Sequence, residues 1–405
     1  MPGTKRAPYP EDLNTAHAIL DCLENEGPLS RAAIAKKLGL SRTTLSNFVT
    51  VLIDQGLVSE KEEEDPQGRG RPGIPVDLDA ERWFALGAVF HSGRWVFAVV
   101  NLKGEVVYTT ASGAIRRDAG VFLRTLVKGV GAVKKRFAGR LLPAVGVGAP
   151  GLVNWETGVI ITADDLGWSG IDVRGDVEKA TGLHAYVINR NRAAGIAEAR
   201  YGLGRNAGGF IYIGVGTGIS AAIMQKGRLW HGASYSAGEI GHMTVDPKGP
   251  LCGCGKRGCL QTLAAESALL GQARELYGAG RIPEGSPLAE AFAGGDVDAE
   301  RLGGAAAEGD AVARACIEKA SAHLGLAVGN LITAFNPDKV ILGGPLVRNC
   351  PGMVECTRAA AAEVAMRHPF SFVEIAASAL DEYAGALGAA CLVLRNKMAL
   401  SANQS

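Results

Sequence analysis

The chain has 405 residues, 47% of them hydrophobic, which is material for two or three packed units. Its 42 Lys and Arg against 41 Asp and Glu leave a net charge of +1, so it is no globally basic nucleic-acid binder and any DNA contact must come from a local patch. The N-terminal MPGTKRAPYPED has no apolar core of signal-peptide length, and no run approaches the roughly 18 apolar residues of a membrane span. A soluble, cytoplasmic protein without membrane contact is expected.

Residues 1–80 read as a winged helix-turn-helix. Leu13, Ala16, Ile19, Leu20 and Leu23 recur at helical spacing and give a first helix one buried face. Ser30 caps a second helix through Ile34, Ala35 and Leu38, Gly39 makes the tight turn, and Ser41 caps a third helix facing inward with Leu45, Val49, Leu52 and Ile53. Its other face carries Arg42, Thr43, Thr44, Ser46 and Asn47, short donors and acceptors suited to base edges and phosphates in a major groove. After an acidic run at 62–65, Arg69-Gly70-Arg71-Pro72 resembles the core of an AT-hook, with both guanidinium groups able to enter a narrow minor groove; a plain Arg-bearing linker is the alternative. Residues 1–75 hold nine Lys or Arg and eleven Asp or Glu, a net of −2, which weakens nonspecific binding but leaves Arg31, Lys36, Lys37, Arg42, Arg69 and Arg71 where a dimer would meet its operator. A three-helix protein-binding module is the competing interpretation.

Residues 81–405 read as a duplicated α/β unit. WFALGAVF, WVFAVVNL and GEVVYTTA predict three strands, followed by a helix near Val121–Phe137 and the strand AVGVGAPG. FIYIGVG, ISAAIMQ, a long helix over Asp310–Phe335, KVILGG, FVEIAAS and a helix near Tyr383–Arg395 repeat the theme, which predicts two lobes with a cleft between them.

The densest chemistry lies in EIGHMTVDPKGPLCGCGKRGCLQT, residues 239–262. His242, Cys252, Cys254 and Cys259 are one imidazole and three potential thiolates among glycines, a donor set that suits structural, tetrahedral Zn²⁺ with no open position for a reacting water. Cys22, Cys316, Cys350, Cys356 and Cys391 are scattered without a disulfide framework, as suits a reducing cytosol.

The pattern ExGH followed by CxCGxxGC resembles the signature of the ROK family of repressors and sugar kinases, and the resemblance covers nearly the whole chain. It implies an actin-like, hexokinase-type (RNase H-like) two-lobed body behind the winged helix. The first lobe would span about 82–188 plus a C-terminal helix at about 383–400, the second about 189–382 with the zinc loop at 242–259. In the family, Glu239 and His242 would touch sugar hydroxyls and the zinc loop would support the pocket. Family kinases carry DxGGT on the first strand and NDxN at the start of the interlobe helix. Here Val89 stands for the metal-orienting Asp, His91 and Ser92 stand for the glycines, and Asn189-Arg190-Asn191-Arg192 puts Arg190 at the general-base position. A guanidinium is protonated at any relevant pH and takes no proton. The turns at 214–218 and 343–345 persist, though glycine turns recur for backbone reasons alone.

Three expected pocket positions have changed, to Asp165, Arg190 and Gln261, while Asn189, Glu239 and His242 remain. The pocket would then hold a phosphorylated, acidic or amino sugar with Arg190 on the anion; alternatively, Arg190 pairs with Asp165 or Glu239 and fills the site. The expected function is a DNA-binding regulator, most simply a repressor of carbohydrate-related genes, acting as a homodimer or tetramer on a pseudo-palindromic operator with a sugar or sugar-phosphate effector. Its kinase-like domain would be catalytically dead. A divergent ATP-dependent sugar kinase is the alternative.

Overall fold

The computed structural model describes residues 10–60, 74–115, 118–380 and 382–397. Helix α1 (Pro10–Glu26), strand β1 (Leu29–Ser30), α2 (Arg31–Leu38), α3 (Arg42–Asp54), β2 (Val58–Glu60) and β3 (Pro75–Leu78) form the N-terminal unit. The caps follow local chemistry. Ser30 Oγ accepts from Ala33 N at 3.2 Å, Ser41 Oγ accepts from Thr44 N at 3.0 Å, and Gly39 at φ +65° ends α2 in the left-handed region. Ala16, Ile19, Leu20, Leu23, Ile34, Leu45, Val49 and Leu52 are buried in one core, and β3 lies antiparallel between β1 and β2. This is a winged helix. The predicted Arg69 and Arg71 contacts lie outside the described residues.

That core does not stop at residue 80. It continues through Trp83, Ala85, Val96 and Val100 to Ala390 and Val393, so the winged helix and the body share apolar interior. Trp83 Nε1 donates to Gln55 O at 2.8 Å, and Glu24 on α1 accepts from Arg200 and, at 3.3 Å, from Lys397.

In the body, β4 (Phe84–His91), β5 (Arg94–Asn101), β6 (Val106–Ala111), α4 (Ala119–Arg136) and β7 (Leu141–Ala149) come first. A separate antiparallel sheet of β8 (Leu152–Asn154), β9 (Val159–Ala163) and β10 (Trp168–Asp172) follows, then α5 (Val173–Thr181), β11 (His184–Asn189) and α6 (Arg190–Tyr201). The first main sheet has the order β11-β7-β4-β5-β6. Ser92 and Gly93, at φ +47° and +75°, close the β4–β5 hairpin with the two positive φ values that a two-residue turn of this hand needs. Trp168 stacks 4.8 Å from Phe122 and so ties the small sheet to the first lobe.

The second lobe contains β12 (Gly209–Val215), β13 (Ile219–Gln225), β14 (Arg228–Leu229), α7 (Gln261–Ala264), α8 (Glu266–Gly278), α9 (Pro287–Ala293), α10 (Ala299–Ala307) and α11 (Ala311–Phe335). The chain ends with β15 (Lys339–Gly343), α12 (Pro345–Asn349), α13 (Met353–Val364), α14 (Arg367–Phe372), β16 (Glu374–Ala377) and α15 (Ala384–Arg395). The order β14-β13-β12-β15-β16 repeats the first sheet strand for strand, with three antiparallel strands and two parallel ones. The expected strand over FVEIAAS is shorter than its hydropathy suggests. Phe372 closes α14 at 72% exposure, and the strand starts at Glu374.

Each repeat gives its last helix to the other. Helix α6 follows the first sheet but presses on the second, where a Cβ on Gly195 would stand 2.2 Å from Ala222 Cβ; α15 follows the second sheet but lies on the first. The two helices meet where a Cβ on Gly388 would sit 1.7 Å from Ala193 O, a distance only glycine tolerates. Among the described residues no helix is long and apolar enough to cross a membrane.

Candidate functional site

The metal-ligand candidates converge because the loop after the 3₁₀ turn Ile240–His242 folds back on itself. Thr244 bridges Cys259, Leu251 bridges Arg257, and Val245 N donates to Gly258 O at 2.9 Å. Gly258 is required at φ +66°, where an added Cβ would fall 1.4 Å from Asp246 O. The result places one donor atom from each of His242, Cys252, Cys254 and Cys259 within 4.8 Å of one another. Cys254 Sγ and Cys259 Sγ are 3.6 Å apart, and Cys252 Sγ lies 3.7 Å from His242 Nδ1. A tetrahedral dication about 2.3 Å from each sulfur sets ligand–ligand edges of about 3.8 Å, so the residues fit a metal ion. Gln261 Nε2 approaches Cys252 Sγ at 3.5 Å and supplies an outer hydrogen-bond donor to that ligand.

Beside this cluster a cleft of about 260 Å³ opens between the lobes. Asp165, Asn189, Arg190, Glu239, His242 and Gln261 all line it. They are not equally available. Asn189 caps α6, its Oδ1 accepting from Asn191 N at 2.9 Å and Arg192 N at 3.3 Å, while its Nδ2 donates to Gly151 O at 2.9 Å. Its amide therefore shapes the cleft from within the protein.

Arg190 does not pair with Glu239. The guanidinium of Arg192, buried to 2% exposure, takes that place, donating to Glu239 Oε1 at 3.0 Å and to the Tyr235 carbonyl. Burial pushes the Glu239 carboxyl above its ordinary value, and Arg192 and His242 pull it back. Sequence reasoning had set Arg192 aside; the signal was its place in the fourth position of the Asn-x-x-Arg run, one helical turn from Asn189. Arg190 instead donates from Nη2 to Thr217 Oγ1 at 2.9 Å, and the charges of Asp165 and Glu266 counter the desolvation that lowers its pKa.

A second, smaller cavity of about 50 Å³ lies on the far side of Arg190, lined by Val89, His91, Thr217, Gly344 and Arg348 among others. Val89 packs into the space between α6 and α15, 3% exposed, so an apolar group fills the position expected for a metal-orienting carboxylate. Burial, reinforced by Arg190 and Arg348, pushes the His91 imidazole down to about 4.

On the winged helix, Arg42, Thr43, Thr44 and Asn47 are exposed along α3 and Ser46 is half-buried. Thr44 Oγ1 lies 2.7 Å from Ser41 Oγ, within the cap. Two basic residues expected at DNA are already engaged. Arg31 pairs with Glu60 at 2.8 Å and donates to Ser46 O, and Lys37 pairs with Glu26 at 2.7 Å, because each lies one turn or one strand from an acidic neighbour.

A winged helix continuous with a two-lobed, duplicated α/β body defines a regulator-like architecture on a sugar-kinase fold. Family models match accordingly: the ROK family over residues 93–396 and the MarR family over residues 14–65. The chain belongs to the ROK family. It is 30% identical over 341 residues to the xylose repressor of Caldicellulosiruptor bescii, covering 82% of this chain and 83% of that one. It is also 31% identical over 271 residues to the glucokinase of Halalkalibacterium halodurans, covering 65% and 81%. Among solved structures, a ROK family transcriptional regulator described as a homologue of E. coli Mlc superposes with a TM-score of 0.81 at 26% identity, covering 96% of this chain and 98% of that one.

Proposed function

We propose that the protein is a DNA-binding transcriptional repressor of carbohydrate-related genes whose sugar-kinase-like body binds a monosaccharide or a derivative and no longer transfers phosphate. Residues 1–80 form the DNA-binding domain and residues 81–405 the effector domain. The observation that carries the proposal is the junction between them: one apolar core joins a winged helix with an exposed α3 to a body whose catalytic position holds Arg190. The resemblance to repressors over nearly the full chain supports it, while the glucokinase likeness spans only the body.

His242, Cys252, Cys254 and Cys259 would hold a structural Zn²⁺, which would fix the loop that carries Glu239 and His242 against the cleft. Arg42, Thr43, Thr44, Ser46 and Asn47 would face the major groove, and two copies of the chain would read two half-sites. The route from effector to DNA runs along α6. Its first turn carries Arg190 and Arg192 at the cleft, and its last turn carries Arg200, which bonds Glu24 of the winged helix and, at 3.0 Å, Lys103 O. An effector that prefers one lobe closure shifts the population of α6 positions, and with it the spacing of the recognition helices.

The test is selection of genomic DNA fragments by the purified protein, followed by titration of the enriched fragment with sugars. Enrichment of a palindrome that a sugar releases supports the assignment; no enriched site at low and moderate salt refutes it. ATP-dependent phosphorylation of a hexose would favour a kinase instead.

A further inference from the structure

The 50 Å³ cavity beyond Arg190 has no role in holding an uncharged sugar. It connects with the larger cleft at Arg190, Asn191 and Gly218, which line both. At about 10–15 Å³ per water-sized atom, it takes roughly four non-hydrogen atoms, and the larger cleft roughly twenty. A monosaccharide ring fits the second space. The first is of the size of one phosphoryl group and far too small for an adenosine.

Its charge points the same way. Arg190 spends one of its donors on Thr217, and among the described residues Arg348 makes no hydrogen bond or ion pair. The one carboxylate on the cavity wall, Glu382, is held by Arg94. Both free-facing guanidinium groups act on His91 from the same side, and His91 stays neutral. Two guanidinium groups and a threonine hydroxyl around a pocket of four atoms make a site for a compact dianion, since charge-assisted and forked Arg–phosphate bonds are the strong ones.

We propose that the effector is a phosphorylated monosaccharide, its ring in the cleft beside Glu239 and His242 and its terminal phosphoryl group in the cavity between Arg190 and Arg348. This rests on the cleft being an effector site, and the test separates the two. Binding is measured by calorimetry for glucose, N-acetylglucosamine and xylose, for glucose 6-phosphate, N-acetylglucosamine 6-phosphate and xylose 5-phosphate, and for inorganic phosphate and glucuronate. The expected result is that at least one ester binds tenfold or more tightly than its parent sugar, that inorganic phosphate competes with it, and that Arg348→Ala and Arg190→Gln each cut the ester's advantage to under threefold. Circular dichroism and thermal melting check that both variants are folded.

A parent sugar that binds as tightly as its ester overturns the phosphoryl assignment and leaves the effector cleft standing. Glucuronate matching the ester overturns it in favour of a carboxylate. Binding of inorganic phosphate with no sugar or ester preference also overturns it, and silence across the whole panel removes the effector cleft itself.

Discussion

Replacing Arg192 with methionine removes a cation that is 2% exposed and keeps nearly the same chain length. Two charge-assisted hydrogen bonds disappear, to Glu239 and to the Tyr235 carbonyl. Glu239 is left without its guanidinium, and breaking a buried pair from one side costs about 3–5 kcal/mol. At roughly 2 °C per kcal/mol for a body of this size, the melting midpoint should fall by roughly 6–10 °C. The loss should depend on pH. Glu239 already has a raised pKa in the folded chain, and without Arg192 it rises further; a carboxyl with a raised folded pKa is most stabilising below its unfolded value and loses that contribution as pH rises through the folded one. The variant should therefore be penalised more at pH 8 than at pH 5. Glu239→Gln added to Arg192→Met should restore at least half of the loss, because the amide carries no charge to strand. Differential scanning calorimetry at both pH values decides it. A single variant within about 1 kcal/mol of the parent, or a double variant no better than the single, would show that the pair does not hold the Glu239 loop to α6.

Zinc should be found at one equivalent per chain by mass spectrometry, and Cys252→Ser or Cys259→Ser should lose both the metal and the order of residues 242–259 by hydrogen exchange. Because the folded His91 pKa lies below its unfolded value, its protonation favours the unfolded chain; stability should fall as pH drops from about 6.5 towards about 4, and His91→Gln should flatten that part of the curve measured by urea melts. Gly388→Val should destabilise the body strongly, since its first side-chain atom would sit 1.7 Å from Ala193 O, and a variant with unchanged melting would refute the tight α6–α15 contact. Glu24→Gln should leave the affinity for effector nearly unchanged but reduce its effect on operator binding, as read by titrating the labelled operator at fixed protein.

What the sequence made legible follows period and spacing. The buried faces of α1 and α3, the caps Ser30 and Ser41, and the strands β4, β5, β12, β13 and β15 are written in local chemistry that tertiary packing leaves in place. The small sheet β8–β10 was not legible, because its strands are three to five residues long and half-exposed, too short for a clear alternation. The cluster around Cys252 and the six cleft residues converge because their motifs are compact or sit at element ends. Partner choice was less accessible. Glu239 takes Arg192 and leaves Arg190 to Thr217 because α6 turns by about 100° per residue, which sends positions 190 and 192 to different sides of the helix. Arg348, more than 150 residues away in sequence, reaches the same cavity as Arg190 through the β12–β15 pairing, which no local pattern announces.

The exchange of last helices has a mechanical corollary at Glu24. Arg200 closes α6, the helix lent to the second sheet, and Lys397 follows α15, the helix lent to the first; both cations grip the two oxygens of this one carboxylate. A rotation of one lobe against the other would draw these two anchors apart. The carboxylate then works as a differential gauge: motion of the whole body leaves its two bonds alike, and only a change in the angle between the lobes strains one against the other.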